Sequence, residues 1–180
     1  YFEDLRGTCR SIRERGYLGQ RELGGTDRDE VNVYVGTRQS DTVYAVVDRD
    51  GDRKPDAVHA VASGLDSPNG LAYRDGTLFI AETGRSLRLD DLDERLQDPP
   101  EPVVVSEALP EDRHHGWRYI DFGPDGFLYV GVGAPCNVCK SEEPIFASIA
   151  RLPVPERGRA AEPEVFAEGI RNTVGFAWHP

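Results

Sequence analysis

The stretch Leu128-Tyr129-Val130-Gly131 has two close counterparts earlier in the chain, Val33-Tyr34-Val35-Gly36 and Leu78-Phe79-Ile80-Ala81. The first residues of the three stretches lie 45 and then 50 positions apart. A period of this length, carried by aromatic and β-branched residues, is typical of stacked sheets such as the blades of a β-propeller. The sequence therefore predicts an all-β fold in which residues 31–180 form about three propeller blades.

A second stretch also recurs, because Gly70-Leu71-Ala72-Tyr73 is matched by Gly175-Phe176-Ala177-Trp178. The first copy begins 8 residues before Leu78, and the same offset in the second copy reaches position 183, beyond Pro180. Fewer than four blades do not close a propeller ring. We therefore expect this chain to be part of a larger array, interrupted at a junction between blades. Residues 1–30 are polar, without period-two alternation, and we assign them no function.

Further strands are predicted where apolar residues alternate or run together between turn residues. These strands cover 43–47, 58–61, 86–89, 103–105, 118–122, 145–152 and 164–167. Helical periodicity is confined to 89–96, which predicts one short turn.

The charge of the chain excludes one class of partner. Its formal net charge is −11, from 32 acidic and 21 basic residues. Nucleic-acid binding requires a basic surface, so no nucleic acid is expected as a partner. No apolar run approaches the roughly 20 residues of a membrane-spanning helix, so no membrane span is expected.

Cys136 and Cys139 follow a predicted strand, and Cys9 is the third cysteine. The pair is open to three interpretations: a disulfide, half of a metal site, or a redox pair. No second Cys/His pair lies at zinc-finger spacing, and Lys140 rather than His follows Cys139, which argues against covalently attached haem. We favour a disulfide that closes a small loop in an oxidising compartment.

Two adjacent histidines, His114 and His115, lie in a connection between predicted strands. Loops at the mouth of a propeller commonly carry its ligands. A neutral imidazole is a suitable general base near pH 7, because its unperturbed pKa is about 6.5. Two solvated loop histidines would explain the residues equally well.

Arg171 and Asn172 lie in a later loop, within Gly169-Ile170-Arg171-Asn172-Thr173-Val174-Gly175. A guanidinium offers a planar fork of donors that suits a carboxylate or another anionic oxygen. The alternative is an Arg that pairs with an acidic neighbour. Equivalent loops of adjacent repeats lie on one face, so we expect His115 and Arg171 to contribute to a single site.

The acidic turn carries four aspartates, Asp48, Asp50, Asp52 and Asp56. Alternate carboxylates are a pattern of calcium loops. However, the glycine falls at the fourth position of the loop rather than the sixth, and His59 occupies the twelfth in place of Glu. We therefore predict a solvated hairpin turn here and assign no metal ligands.

Two motifs together resemble the glucose/sorbosone dehydrogenase family. The first is His114-His115-Gly116 with the following run from Phe122-Gly123-Pro124-Asp125-Gly126 to Gly133, and the second is Gly169-Ile170-Arg171-Asn172 with Gly175-Phe176-Ala177. The resemblance covers about residues 31–180. It looks closest to the sorbosone-dehydrogenase-like branch in 33–47, 67–72 and 133–139.

The resemblance implies a six-bladed propeller in a soluble or periplasmic quinoprotein, so we expect a periplasmic or secreted location. It implies pyrroloquinoline quinone (PQQ) as cofactor and Ca²⁺, whose ligands we expect beyond residue 180. It also implies a small-molecule sugar or aldehyde as substrate and an external electron acceptor. We expect the 180 residues alone to be inactive, because the remaining cofactor contacts of the family would lie outside them.

The resemblance also implies roles for individual residues. His115 matches the catalytic base, which takes a proton from the anomeric hydroxyl of an aldose while hydride passes to a quinone carbonyl carbon. Arg171 matches the Arg that contacts the quinone oxygens and stabilises negative charge there. Asn172 matches a cofactor-contacting Asn, and His114 is assigned to the substrate.

Two departures and two alternatives accompany this interpretation. Glucose-oxidising members have an orienting Asp where this chain has Ala134, and an Asp where it has His114, so we expect a weaker, less aligned base. One alternative is a non-catalytic propeller module that binds a partner or polysaccharide. The other is a gluconolactonase-like, calcium-dependent hydrolase, which Ser67-Pro68-Asn69-Gly70-Leu71-Ala72 favours and the two histidines disfavour.

Overall fold

The computed structural model describes residues 23–24, 31–50, 52, 54–154 and 162–179. In this part of the chain, twelve strands form three antiparallel sheets of four strands each. Helical structure among these residues is limited to one 3-10 turn, Asp93–Arg95, inside the stretch predicted to form a short turn. The predicted all-β class is confirmed.

The first sheet consists of β1 (Leu23–Gly24), β2 (Val31–Val35), β3 (Val43–Asp48) and β4 (Ala57–Ala62), paired in chain order. Strand β1 lies within the 1–30 segment, to which no function is assigned, and pairs with β2. The other residues of the 1–30 segment lie outside the described part of the chain.

The second sheet consists of β5 (Gly70–Arg74), β6 (Thr77–Ala81), β7 (Ser86–Leu89) and β8 (Val103–Ser106), again in chain order. Asp75 and Gly76, with φ of 53° and 81°, form the two-residue turn between β5 and β6. Left-handed residues at both positions give the turn the twist that a tight hairpin needs.

The third sheet consists of β9 (Ile120–Phe122), β10 (Leu128–Val132), β11 (Ser148–Leu152) and β12 (Glu164–Glu168). Strand β11 starts three residues later than predicted. Ala147 has a left-handed φ of 54°, and the Ser148 hydroxyl donates to the carbonyl oxygen of Ile145 at 2.6 Å. This local turn takes 145–147 out of the strand.

The chain forms two compact units, the first from residues up to 80 with 88–102, and the second from 81–87 with 103–180. The three recurring stretches of sequence are β2, β6 and β10, which are the second strands of their sheets. Their aromatic residues, Tyr34, Phe79 and Tyr129, are all buried. The sequence repeat is therefore also a repeat of structure.

In the first unit, the recurring aromatic residue contacts the start of the next sheet. The rings of Tyr34 and Tyr73 stack with centroids 5.8 Å apart. Both hydroxyls donate to the carboxylate of Asp93, Tyr34 at 2.7 Å. Burial raises the pKa of both phenols well above their usual range, and the hydrogen bond to Asp93 is the second-largest cause. The 3-10 turn thus satisfies both hydroxyls.

The second unit contains the matching contact. The ring of Trp178 packs against Tyr129 with centroids 4.6 Å apart, and the Tyr129 hydroxyl donates to Asp125 at 2.8 Å. Trp178 occupies the place in the second recurring stretch that Tyr73 occupies in the first. Residues 175–178 therefore pack on the third sheet as β5 packs on the first.

In each unit, the aromatic contact is accompanied by a close approach at a glycine. A side chain at Gly36 would lie 2.5 Å from the carbonyl oxygen of Pro68, and one at Gly131 would lie 2.9 Å from Cβ of Thr173. Contacts this short leave room only for glycine. In each unit, the glycine that ends the recurring four-residue stretch thus abuts the segment that leads to the next copy of the second recurring stretch.

Candidate functional site

His115 lies in the loop between β8 and β9 in the second unit. It is half-buried and has a φ of 52°, in the left-handed region that residues other than glycine seldom adopt. The exposed ring of His114 stands edge-on to it, with centroids 4.1 Å apart. Strained backbone at a polar side chain is commonly found at functional sites.

The main chain of Ala134 orients the imidazole of His115. Its carbonyl oxygen lies 2.9 Å from Nδ1 of His115. A carbonyl only accepts, so Nδ1 carries a proton, and in the neutral ring Nε2 keeps its lone pair. The orienting carboxylate is absent, as the sequence indicates, and the main-chain carbonyl of Ala134 takes its place beside Nδ1, although a neutral carbonyl stabilises an imidazolium less than a carboxylate would.

Gly133 makes this contact possible. We expect Gly133→Ala to displace His115, because the added methyl group would overlap the His115 side chain and lie 2.6 Å from its carbonyl oxygen. The overlap should cost about 1–3 kcal/mol of unfolding free energy and break the bond to Ala134. Nitrogen NMR of the imidazole reports the tautomer directly.

The matched control for this change is Gly175→Ala. There the added methyl group would meet only the ring of Tyr119, at an ordinary 3.6 Å. The control should leave the His115 spectrum as it is. If the spectrum of Gly133→Ala also matched the unsubstituted protein, the close approach would not hold His115 in place.

Arg118 lies against the inner side of the histidine loop. Its side chain is buried, with 1% of the residue exposed. Its guanidinium donates to the carbonyl oxygens of Thr83 at 2.9 Å and Pro110 at 2.7 Å, and reaches that of His115 at 3.5 Å. Burial lowers the pKa of Arg118 to about 10, although the carboxylate of Asp112 acts to raise it. The group stays charged at neutral pH.

Arg171 lies in the loop that follows β12, and its main chain reaches the same residue as His115. The amide of Ala134 donates to the carbonyl oxygen of Arg171 at 2.8 Å. Ala134 thus bonds to His115 through its carbonyl and to Arg171 through its amide. The structure therefore brings the two predicted loops together at one residue.

The side chain of Arg171 is exposed and is held by Asn137. Nη2 donates to the side-chain oxygen Oδ1 of Asn137 at 2.7 Å, and Nε to its carbonyl oxygen at 3.3 Å. These partners are neutral, so the alternative in which Arg171 pairs with an acidic neighbour does not describe the observed contacts. The positive charge remains available to a ligand.

The two residues after Arg171 each contain a buried polar atom without a hydrogen-bond partner among the described residues. These atoms are Oδ1 of Asn172 and Oγ1 of Thr173. A buried acceptor without a donor is costly, so it calls for an explanation such as a bound water, an ion or a functional role. Asn172, predicted to contact a cofactor, thus has an unused acceptor.

Asn137 is positioned by a disulfide. Cys136 and Cys139 are bonded, with their Cα atoms 5.8 Å apart, as favoured from the sequence. The bridge closes the small loop in which Asn137 lies. Cys9 falls outside the described residues.

A charged pair in the turn that packs near the histidine loop is not indicated by the sequence. Glu82, 1% exposed and next to the end of β6, forms an ion pair with Arg85. A side chain at Gly84 would lie 2.9 Å from Cγ of Glu111. The turn at 82–85 therefore packs against the segment before His115, and no spacing in the sequence indicates this contact.

The aspartates of the acidic turn form a separate surface group in the first unit. Carboxylate oxygens of Asp48, Asp50 and Asp56 lie within 4.8 Å of one another at the surface. The turn's own amides use several of these groups, since Arg49 donates to Asp56 at 2.7 Å and Lys54 to Asp52 at 2.8 Å. Such bonds are those of a hydrogen-bonded turn, as predicted.

Comparisons with known proteins add little beyond the geometry. No family model matches the chain. The chain is 22% identical over 173 residues to an uncharacterised protein of Borreliella burgdorferi, and the match covers 89% of this chain and 42% of that protein. The chain thus spans about two fifths of the relative's length. Among the described residues, there is no helix with the length and hydrophobicity needed to cross a membrane.

Proposed function

We propose that this chain contributes three blades and part of the active face of a PQQ-dependent sugar or aldehyde dehydrogenase. The observation that carries the proposal is the pair of main-chain hydrogen bonds made by Ala134. Its carbonyl oxygen accepts from His115, and its amide donates to the carbonyl oxygen of Arg171. A general base and a cation from different loops meet at one residue. This is the pairing expected where a hydroxyl loses a proton next to a developing negative charge.

The propeller architecture is part of the proposal. Each sheet is a four-stranded meander in chain order, which is the topology of a blade. The Tyr34–Tyr73 contact in the first unit recurs as Tyr129–Trp178 in the second. The rings are stacked in the first pair and edge-on in the second, but both contacts join the same positions of the repeat. This recurrence supports successive blades, and the resemblance implies six of them in the ring.

The residues of the second loop suit a quinone. Arg171 presents an exposed guanidinium whose described partners are neutral, and Asn172 has a buried oxygen without a donor. When bound, PQQ supplies a two-electron acceptor. Arg171 and Asn172 would hold it, and the guanidinium would stabilise negative charge on oxygens beside it. Ca²⁺ is part of the proposal only through ligands outside residues 1–180.

The chain's own chemistry is a proton transfer. His115 has its proton on Nδ1, so Nε2 is free to accept the proton of a substrate hydroxyl. The carbonyl of Ala134 keeps this tautomer and the orientation of the ring. His114, exposed and edge-on to His115, is proposed to contact the substrate. The electrons would leave to an external acceptor.

A periplasmic or secreted location is proposed with this activity. The Cys136–Cys139 disulfide supports it, because structural disulfides persist mainly in oxidising compartments. The bond lies at the surface beside Arg171, where reducing agents would reach it.

A dye-linked oxidation assay on the full-length protein tests the proposal. With PQQ and Ca²⁺ added, we expect reduction of the dye by an aldose or an aldehyde, and none when PQQ is omitted. Absence of quinone-dependent reduction with every aldose and aldehyde would overturn it. Calcium-dependent lactone hydrolysis would instead support the gluconolactonase-like alternative, and binding of a polysaccharide without turnover would support the non-catalytic module.

A further inference from the structure

A depression of about 460 Å³ lies in the second unit, between the disulfide loop and the loop of Arg171. Its volume falls within the range of small-molecule sites, which is about 300–1,000 Å³. Its lining includes Ala134, Asn137, Lys140, Gly169 and Arg171. The charged side chains in this lining are both cationic, and no carboxylate is among them.

This lining contrasts with the composition of the chain. The protein has a net charge of −11 and two lysines, Lys54 and Lys140. Lys140 is exposed, and among the described residues it has no hydrogen-bond or ion-pair partner. Arg171 is held by neutral atoms of Asn137. Two positive charges without an ion-pair partner among the described residues create a local field that attracts anions.

The Arg171 guanidinium is also preorganised. Its Nε and Nη2 donate to Asn137, inside a loop that the Cys136–Cys139 disulfide closes. The Nη1 atom donates to none of the described residues. A fixed planar fork with a free edge suits the two oxygens of a carboxylate.

An adjoining depression has the opposite charge. It shares Lys140 but is also lined by Glu142, Glu143 and Glu168. These carboxylates repel an anion, so a negatively charged group is directed to the side of Arg171. Because Lys140 borders both depressions, its contribution should be smaller than that of Arg171.

We propose that the depression lined by Arg171 and Lys140 binds the carboxylate of an acidic sugar, such as a hexuronate. The carboxylate accepts from the free edge of Arg171 and lies beside Lys140, which leaves one N–H of the guanidinium for the quinone oxygen. The sugar hydroxyls face the polar atoms of Asn137. That the anion is a sugar rests on the proposed function, whereas the carboxylate rests on the charges of the site. The site thereby makes an acidic sugar a better ligand than its neutral analogue.

Calorimetric titration of the full-length protein with glucuronate and with glucose tests this proposal. The measurement needs neither quinone nor turnover. At low salt we expect glucuronate to bind at least about tenfold more tightly than glucose, and the difference to shrink as salt screens the charges. Arg171→Gln should remove at least about tenfold of the glucuronate affinity, and Lys140→Gln about threefold. Lys54→Gln, at the chain's other lysine, removes the same charge from an exposed turn and should have no effect.

Each result has a defined meaning. Equal affinity for glucose and glucuronate, or affinity unchanged in both Arg171→Gln and Lys140→Gln, would overturn the site. Tighter binding of glucose 6-phosphate than of glucuronate would overturn the carboxylate and indicate a phosphate. Lys140 is exposed, so its variant keeps the test valid if Arg171→Gln does not fold. Glucuronate binding without any dye reduction would overturn the proposed dehydrogenase and leave this site standing.

Discussion

Replacing His115 with Asn is expected to lower quinone-dependent oxidation by the full-length protein about 100- to 10,000-fold, the usual contribution of a general base. Asn tolerates the left-handed φ of 52° that residue 115 adopts. Its amide can also donate to the carbonyl oxygen of Ala134. The substitution therefore removes the basic nitrogen with little disturbance of the loop. The turnover rate kcat is the quantity to measure.

The control for this prediction is His179→Asn, the same change at an exposed residue. It should leave kcat within about twofold of the unsubstituted protein, because exposed substitutions seldom matter. Circular dichroism and the thermal midpoint would show whether each variant folds. A folded His115→Asn protein with undiminished turnover would rule out His115 as the base.

Replacing Arg118 with Met is expected to lower the free energy of unfolding by about 3–5 kcal/mol. Met has a similar length but no donors, so the carbonyl oxygens of Thr83 and Pro110 would lose the guanidinium that they accept from. Each buried group left unpaired costs about 1–3 kcal/mol. The loop that carries His115 would lose its hydrogen bonds to the guanidinium of Arg118. Urea unfolding measures the change.

Two further variants separate lost hydrogen bonds from lost charge. Arg118→Lys keeps the charge but only part of the fork, so its stability should lie between that of the unsubstituted protein and that of Arg118→Met. Arg95→Met removes an arginine that is half exposed, 3.9 Å from the exposed Asp98, and should cost less than about 1 kcal/mol. Equal losses in Arg118→Met and Arg95→Met would show that the buried carbonyls do not depend on Arg118.

Much of the sheet structure could be predicted from the sequence. The recurring stretches became β2, β6 and β10 because β-branched and aromatic residues fit the pleated, buried surface of a strand inside a sheet. Strand β1 was missed, since two residues within a polar segment have no pattern of their own. Its pairing with β2 depends on the partner strand and not on local preference.

The candidate site could be predicted only in part. His115 and Arg171 were selected because an imidazole suits a general base, a guanidinium suits an anionic oxygen, and the repeat indicated a shared face. The role of Ala134 was missed, because a sequence shows the side chain at a position and not the direction of its carbonyl. Arg118 was assigned to a strand, although its three carbonyl contacts make it the support of the loop.

The order of the residues alone was enough to predict a β protein built from three similar sheets, with the candidate residues His115 and Arg171 in loops between strands. That information is local, since periodicity and turn residues act over a few positions. The bonds that join His115, Ala134 and Arg171, and the cationic wall formed with Lys140, arise from residues up to 56 positions apart. They exist only after folding, because main-chain donors and acceptors are the same at every position until the fold orients them.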